Sequence, residues 1–147
     1  MAKYNLFLAD IRDPSVCMHY KTKYMPDDRR EYTMSEWTIV RNYKEFTEAI
    51  IANFSARRFP GLVSFDHDLA DEHYDNTMYQ GVEEYSKKYE HFKEKTGLDC
   101  AKWLTEHCMD TKQKLPDFEI HSMNPAGGEN IRSILLNFKK FQDQENQ

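Results

Sequence analysis

The sequence lacks any apolar run near the roughly 20 residues that a membrane-spanning helix requires. No apolar stretch of a signal peptide follows Met1. Its three cysteines form no Cys-x-x-Cys pair, and an odd number without a secretory signal is typical of reduced thiols. We therefore expect a soluble, cytoplasmic protein in which Cys17, Cys100 and Cys108 are structural.

A surplus of basic residues is also missing. The chain has 20 Lys and Arg against 25 Asp and Glu, a formal net charge of −5. Proteins that bind duplex nucleic acid usually carry a basic surplus or a basic stripe, so this class is disfavoured. A small phosphorylated ligand needs only a few cations. The absence of GxSxG and of GxxxxGK[ST] argues against a serine-hydrolase elbow and a P-loop.

The 147 residues suit one domain, and short apolar runs alternate with segments of helical period. The capping pair Asn42 and Glu45 marks one helix start. Strands are predicted at Tyr4 to Ala9, Trp37 to Arg41, Leu62 to Phe65 and Phe118 to His121, and helices at Tyr43 to about Ala56, Gly97 to about Met109 and Glu129 to Phe141. Alternation of this kind predicts an α/β fold with a mainly parallel sheet of about four strands.

Two stretches have little periodic order and are interpreted as insertions, at about 15–35 and 71–95. The first is predicted to be a long loop or short irregular helix that covers another part of the fold. The second is rich in charge, which usually means a solvated surface, and 82–95 has the composition of a solvated helix. Its tyrosines allow a second interpretation, a lid over a site.

Polar residues follow three of the predicted strands. They are Asp10, Arg12 and Asp13 after the first, Asp66, His67 and Asp68 after the third, and His121, Ser122 and Asn124 after the fourth. Ligands of parallel α/β sheets bind outside the carboxyl ends of the strands. The topology therefore predicts one shared pocket.

Carboxylates that crowd one rim repel each other unless a cation lies between them, and Mg²⁺ prefers oxygen ligands. We therefore predict a site for Mg²⁺ (or Mn²⁺) on Asp10 and Asp66, with Asp13 or Asp68 completing it. Asp13 precedes Pro14 and is equally suited to a plain turn, as is Asp68 before Leu69.

Two histidines are predicted to converge on this pocket. His67 and His121, with Asp68 beside them, have the chemistry of a general acid and base. Either histidine could instead be a metal ligand or a hydrogen-bonded structural residue.

The remaining candidates are ligand-binding groups. Arg12 is predicted to neutralise a phosphate, with Arg41 as a weaker candidate. Donors and close backbone approach are predicted from Ser122, Asn124, Gly127, Gly128 and Asn130, ahead of a helix N-terminus. Pro-Ala-Gly-Gly is also typical of an ordinary turn.

The strings LFLADIR, WTIVRNY, SFDHDL, GLDCAKWL and HSMNPAGGEN together resemble the cyclic-phosphate-processing receiver-like family, related to response-regulator receiver domains. The resemblance implies a small three-layer, flavodoxin-like α/β fold and a role on cyclic phosphates of nucleotides or RNA ends, with a metal. It places Asp10, Arg12, Asp66, His67, Asp68, His121, Ser122 and Asn124 at matching site positions. The family's first strand usually ends in two adjacent acids, and here Ala9 takes the first position.

Three functions follow as hypotheses. The leading one is a metal-assisted phosphoesterase that opens a cyclic phosphate of a nucleotide or of a 2′,3′-cyclic RNA end. The second, suggested by Ala9, is a protein that binds a cyclic nucleotide without cleaving it. The third is a signalling receiver phosphorylated on Asp66, which the neighbouring His67 and Asp68 and the lack of a lysine after the last strand make the weakest.

Overall fold

A computed structural model of the protein describes residues 1–70 and 95–145. The strands are β1 (Ala2–Leu8), β2 (Thr38–Val40), β3 (Arg58–Phe65) and β4 (Asp117–Ile120). The helices are a 3₁₀ turn (Pro14–Met18), α1 (Glu31–Met34), α2 (Tyr43–Ser55), α3 (Gly97–Thr111) and α4 (Pro125–Glu145).

The described strands form one parallel sheet in the order β2-β1-β3-β4. The register pairs Leu8 with Val40 on one side and with Phe65 on the other, and Phe65 pairs in turn with Ile120. All strands therefore end at the same level. The predicted α/β fold with a parallel sheet of about four strands is confirmed.

Strand β3 begins at Arg58, four residues before the predicted start, so Phe59-Pro60-Gly61 is strand and not turn. The register shifts between Tyr4 and Asn5, which pair with Pro60 and Leu62, so Gly61 is the extra residue of a bulge. Pairing with β4 begins only at Leu62. The missing N–H of Pro60 therefore interrupts no hydrogen bond on that side.

One face of the sheet is covered by α2, α3 and α4. Its core is aliphatic and aromatic, with Leu6 and Leu8 of β1 and Val63 and Phe65 of β3 fully buried. The helices contribute Phe46, Ile50, Cys100, Ala101, Leu104, Cys108, Ile131, Leu135 and Phe138. These positions recur every three to four residues, which is why the periodic pattern predicted the helices.

The opposite face is covered by residues 14–37, which we call the cover segment. Cys17, Met25 and Tyr32 of this segment pack on Phe7 and Ala9 of β1. The Tyr32 and Trp37 rings stack 5.2 Å apart, and each meets Phe7 edge-on. The stretch predicted to cover something therefore supplies the third layer of the fold.

Helix α4 begins at Pro125, four residues before its predicted start. Asn124 caps it, since its Oδ1 accepts the Gly127 N–H at 3.0 Å, and proline is favoured at the first helical position. Gly127 and Gly128 are therefore buried residues of the first helical turn and not a loop. Sequence composition misplaced the boundary because two glycines are weak helix formers.

The predicted solvated helix and the tyrosines of the second insertion lie outside the described residues, except Lys95. Within 1–70 and 95–145, no helix is both long enough and apolar enough to cross a membrane. Cys17, Cys100 and Cys108 are buried and unpaired, and burial raises the pKa of each thiol, consistent with a structural role.

Candidate functional site

The carboxyl ends of β1, β3 and β4 meet at one edge of the sheet. Backbone bonds tie them together, from Asp66 N–H to the Leu8 carbonyl and from His121 N–H to the Phe65 carbonyl, both at 3.0 Å. Helix α3 docks on the same point, where the Gly97 N–H donates to the His67 carbonyl at 2.8 Å. A Cβ on Gly97 would collide with the Asp66 carbonyl oxygen, so this approach requires glycine.

Asp66 is the most buried carboxylate of this edge, with 4% of its surface exposed. Its Oδ1 accepts the His67 backbone N–H at 2.8 Å. Burial raises the pKa of Asp66 to about 6, against the opposing effects of the Arg12 charge, the His67 N–H and a Ser122 hydrogen bond. A pKa raised in this way by burial, in a carboxyl beside a cation, marks Asp66 as a candidate functional group.

His67 and Asp68 form a hydrogen-bonded pair, with His67 Nδ1 and Asp68 Oδ1 3.0 Å apart. The Asn124 amide donates to the other oxygen of Asp68 at 3.1 Å. A carboxylate can only accept, so Nδ1 carries the proton of this bond. Asp68 thereby fixes the orientation of the ring, and in a neutral imidazole of this tautomer Nε2 is the basic atom.

Arg12 brings positive charge to the same edge. Its Nη1 donates to the Tyr20 hydroxyl at 3.1 Å, and its guanidinium lies 5.3 Å from the centre of that ring. Tyr20 in turn donates to the His121 carbonyl at 2.8 Å. The Arg12 charge favours ionised Asp66, so the two groups lie within electrostatic reach.

Arg41 and Asp13 form an ion pair, with Arg41 Nη2 and Asp13 Oδ1 2.9 Å apart. Arg41 donates to the Arg12 carbonyl at 2.6 Å and to Asp13 Oδ1 at 2.9 Å, and it also reaches the Ala9 carbonyl. The Asp13 side chain is 64% exposed. Arg41 therefore fastens the loop that carries Arg12, and Asp13 serves as its partner.

The His121 side chain points to the face of the sheet that the cover segment packs on. Its ring is fully buried, stacked on Phe7 at 4.4 Å, and its Nδ1 lies 2.7 Å from Ser64 Oγ. Ser64 bonds Tyr32 of the cover segment at 2.7 Å. Burial lowers the pKa of His121 to about 3, with the Arg12 charge acting in the same direction. His67 is buried as well, with 1% of its surface exposed, so the two histidines differ in their partners and not in their burial. The stacking on Phe7 and the lowered pKa favour a structural role for His121, and its acid–base role stays a prediction.

The other predicted ligand groups divide in two. Ser122 and Asn124 lie at the site, since Ser122 bonds Asp66 and Asn124 bonds Asp68. The N–H groups of Gly127 and Gly128 donate to Asn124 in the helix cap, so the predicted phosphate-holding turn is instead the first turn of α4. Asn130 is half-buried one turn further along, with no hydrogen bond to Asp66 or Asp68 within the described ranges.

The predicted metal ligands do not assemble as a trio. In the described part of the chain, no three His, Cys, Asp or Glu side chains are grouped so as to hold a metal ion. Asp13 pairs with Arg41, and the Arg12 cation lies near Asp66. Mg²⁺ is often held by one or two carboxylates together with water and substrate phosphates, so the metal on Asp10 and Asp66 stays a prediction.

A family profile described as the cyclic-phosphate processing receiver domain matches residues 4–137. The chain belongs to this family. No curated protein and no solved structure matches it. The match spans both the helix-covered face and the cover segment of this receiver domain, so the cover segment lies inside the matched range.

In this receiver domain the first of the two usual acid positions is Ala9, fully buried on Phe7 and Cys17. Of these two positions only the second, Asp10, carries an acid. Sequence reasoning missed Ser64, Tyr20 and Tyr32, which connect the strand ends to the cover segment. The irregular cover segment shows no period that would predict its contacts, whereas the Thr96–Asp99 capping box of α3 does have a sequence signature.

Proposed function

We propose that this receiver domain hydrolyses a cyclic phosphate of a nucleotide or RNA end. The observation that supports it is the His67–Asp68–Asn124 hydrogen-bond chain beside Arg12 and Asp66. It supplies an oriented base, a cation for the phosphate and a buried acid at one strand edge. Family membership supports the coarser statement, a part in cyclic-phosphate processing.

In the proposed reaction, a water oxygen attacks the phosphorus atom and the water proton passes to His67 Nε2. The bond from phosphorus to one ribose oxygen breaks, and that oxygen takes a proton from the protonated carboxyl of Asp66. Arg12 and Ser122 hold the non-bridging oxygens, whose charge grows during the attack. The products are a linear phosphate monoester and a free hydroxyl, so atoms and protons balance. No step is assigned to a metal.

The decisive experiment follows ³¹P spectra of 2′,3′- and 3′,5′-cyclic nucleotides and a 2′,3′-cyclic RNA end. Each is incubated with the protein in the presence of Mg²⁺ and in the presence of EDTA. Conversion to a linear monoester supports hydrolysis. Conversion that requires Mg²⁺ would support the predicted metal site on Asp10 and Asp66. The proposal fails if every ligand is recovered intact.

A second function is favoured by Ala9, which replaces an acid of the site with a buried methyl group. It is sequestration of a cyclic nucleotide without cleavage. Calorimetry separates the two, since tight binding with quantitative recovery of the cyclic ligand would support sequestration. Phosphorylation of Asp66 is the least supported function, because the Asp68 carboxylate of the His67–Asp68 pair lies within electrostatic reach of Asp66 and would repel a phosphoryl group. Labelling by a small phosphodonor such as acetyl phosphate would support it.

A further inference from the structure

A groove adjoins the site on the side of the cover segment. It is a cavity of ≈ 410 Å³ between residues 20–24 and the start of α4, lined among others by Tyr20, Thr22, Tyr24 and Gly128. Ser122 and Asn124 line it too, and they also bond Asp66 and Asp68. The groove and the site therefore share a wall formed by Ser122 and Asn124.

The groove has the composition of a nucleoside pocket. Binding cavities for small ligands span about 300–1,000 Å³, so this one suits a single nucleoside. It offers two tyrosine rings, and bases pack readily on aromatic side chains. Tyr24 packs against the first turn of α4, where a Cβ on Gly128 would make an ordinary van der Waals contact with the ring at 3.7 Å. Arg132 and Lys23 lie 5.1 and 5.4 Å from the centre of the Tyr24 ring.

We propose that this groove binds the base and ribose of a nucleoside cyclic phosphate, with Tyr24 as the aromatic contact of the base. The proposal rests on the proposed function, which places the phosphate at Asp66 and Arg12. It adds the place where the nucleoside part of that substrate binds, because a cyclic phosphate without a base leaves the groove unfilled. The nucleobase should raise the affinity, whereas the groups around Asp66 should carry out the cleavage. Measurements of binding and of cleavage therefore test the two parts separately.

The test compares adenosine 2′,3′-cyclic phosphate with the baseless 1-O-methylribose 2,3-cyclic phosphate. Dissociation constants come from calorimetry and cleavage from ³¹P spectra, for the wild type and for Tyr24→Ala. We expect the wild type to prefer the nucleoside ligand about tenfold, in line with one base–aromatic contact. Tyr24→Ala should erase that preference and leave the baseless ligand unchanged, whereas the matched control Tyr24→Phe should keep it. If Tyr24→Ala does not fold, Tyr24→Leu keeps apolar bulk without a π face.

Each outcome is decisive. Equal use of both ligands by the wild type overturns the nucleoside groove and leaves the proposed function standing. A preference that survives Tyr24→Ala and Tyr24→Leu overturns the assignment of the groove. If neither ligand is bound nor cleaved, the proposed function fails and the groove proposal fails with it.

Discussion

The ends of β3 and β4 look alike in the sequence and differ in the structure. Each strand is followed closely by a histidine and a small polar residue, yet His67 pairs with a carboxylate while His121 stacks on Phe7 in the core. The cause is position. His121 directly follows β4 and points to the face opposite Ile120, where the cover segment buries it. His67 lies two residues beyond β3, past the last paired position. A histidine at a strand end is therefore a candidate whose role depends on the face it takes.

The largest expected effect is on turnover by His67→Gln. Loss of the base should lower the rate of cyclic-phosphate cleavage by about 10²- to 10⁴-fold, the usual contribution of a general base. Steady-state rates measured by ³¹P spectra check this. His107→Gln, a half-buried histidine stacked on Trp103, is the matched control and should keep the wild-type rate. An unchanged rate in folded His67→Gln would remove the histidine from the mechanism.

The opposite pattern is expected for His121→Ala. Removal of a fully buried ring that stacks on Phe7 and bonds Ser64 should lower the free energy of unfolding by about 3 kcal/mol. Urea unfolding followed by circular dichroism measures this loss. Turnover per folded molecule should stay within a few-fold of the wild type, and a loss as large as that of His67→Gln would contradict the structural role.

Asp66 and His121 should have opposite effects on how the free energy of unfolding changes with pH. Burial raises the pKa of Asp66 from 3.8 to about 6, so folding takes up a proton and stability falls as the pH rises through this window. Burial lowers the pKa of His121 from 6.5 to about 3, so stability falls as the pH falls through that window.

Asp66→Asn should remove the pH dependence of stability that comes from Asp66 and leave the one that comes from His121. The variant should be more stable than the wild type at pH 7, by up to about 3 kcal/mol from the two pKa values of Asp66. The difference should vanish below pH 4, where the wild-type carboxyl is protonated. Urea unfolding at pH 4, 5, 6 and 7 checks the sign, and a variant less stable than the wild type at pH 7 would contradict it. The same variant should be inactive.

The smallest effect is expected at the loop after β1. Asp13→Asn removes an ion pair with Arg41 in which the Asp13 side chain is mostly exposed, so stability should change by less than about 1 kcal/mol. Turnover should be unaffected. A strong loss of turnover that excess Mg²⁺ restores would return Asp13 to the predicted metal set.

Sequence reasoning succeeded where side chains repeat with a period. The helices on Phe46, Leu104 and Leu135 and the parallel sheet followed from apolar spacing. The shared edge followed from topology. At that edge Arg12, Asp68 and Ser122 act on Asp66, and Asn124 bonds Asp68, whereas the functional roles of these residues stay predictions.

The rest depends on contacts that no local pattern encodes. The early start of α4 depends on the Asn124 cap, and the assignment of His121 depends on Ser64 and Tyr32, which are 57 and 89 residues away in the chain. The cover segment packs through single aromatic contacts without a repeat. The sequence predicts which side chains lie near the carboxyl-terminal edge of the sheet. The tertiary packing determines which of them point into the site.

The most direct test of the contrast between the two strand ends is a ¹⁵N imidazole spectrum of the histidines, recorded from pH 4 to 8 with and without adenosine 2′,3′-cyclic phosphate. His121 should stay neutral across the whole range and be insensitive to the ligand, whereas the ligand should shift the His67 Nε2 resonance. Protonation of His121 near pH 6, or a ligand response at His121 without one at His67, would contradict the account.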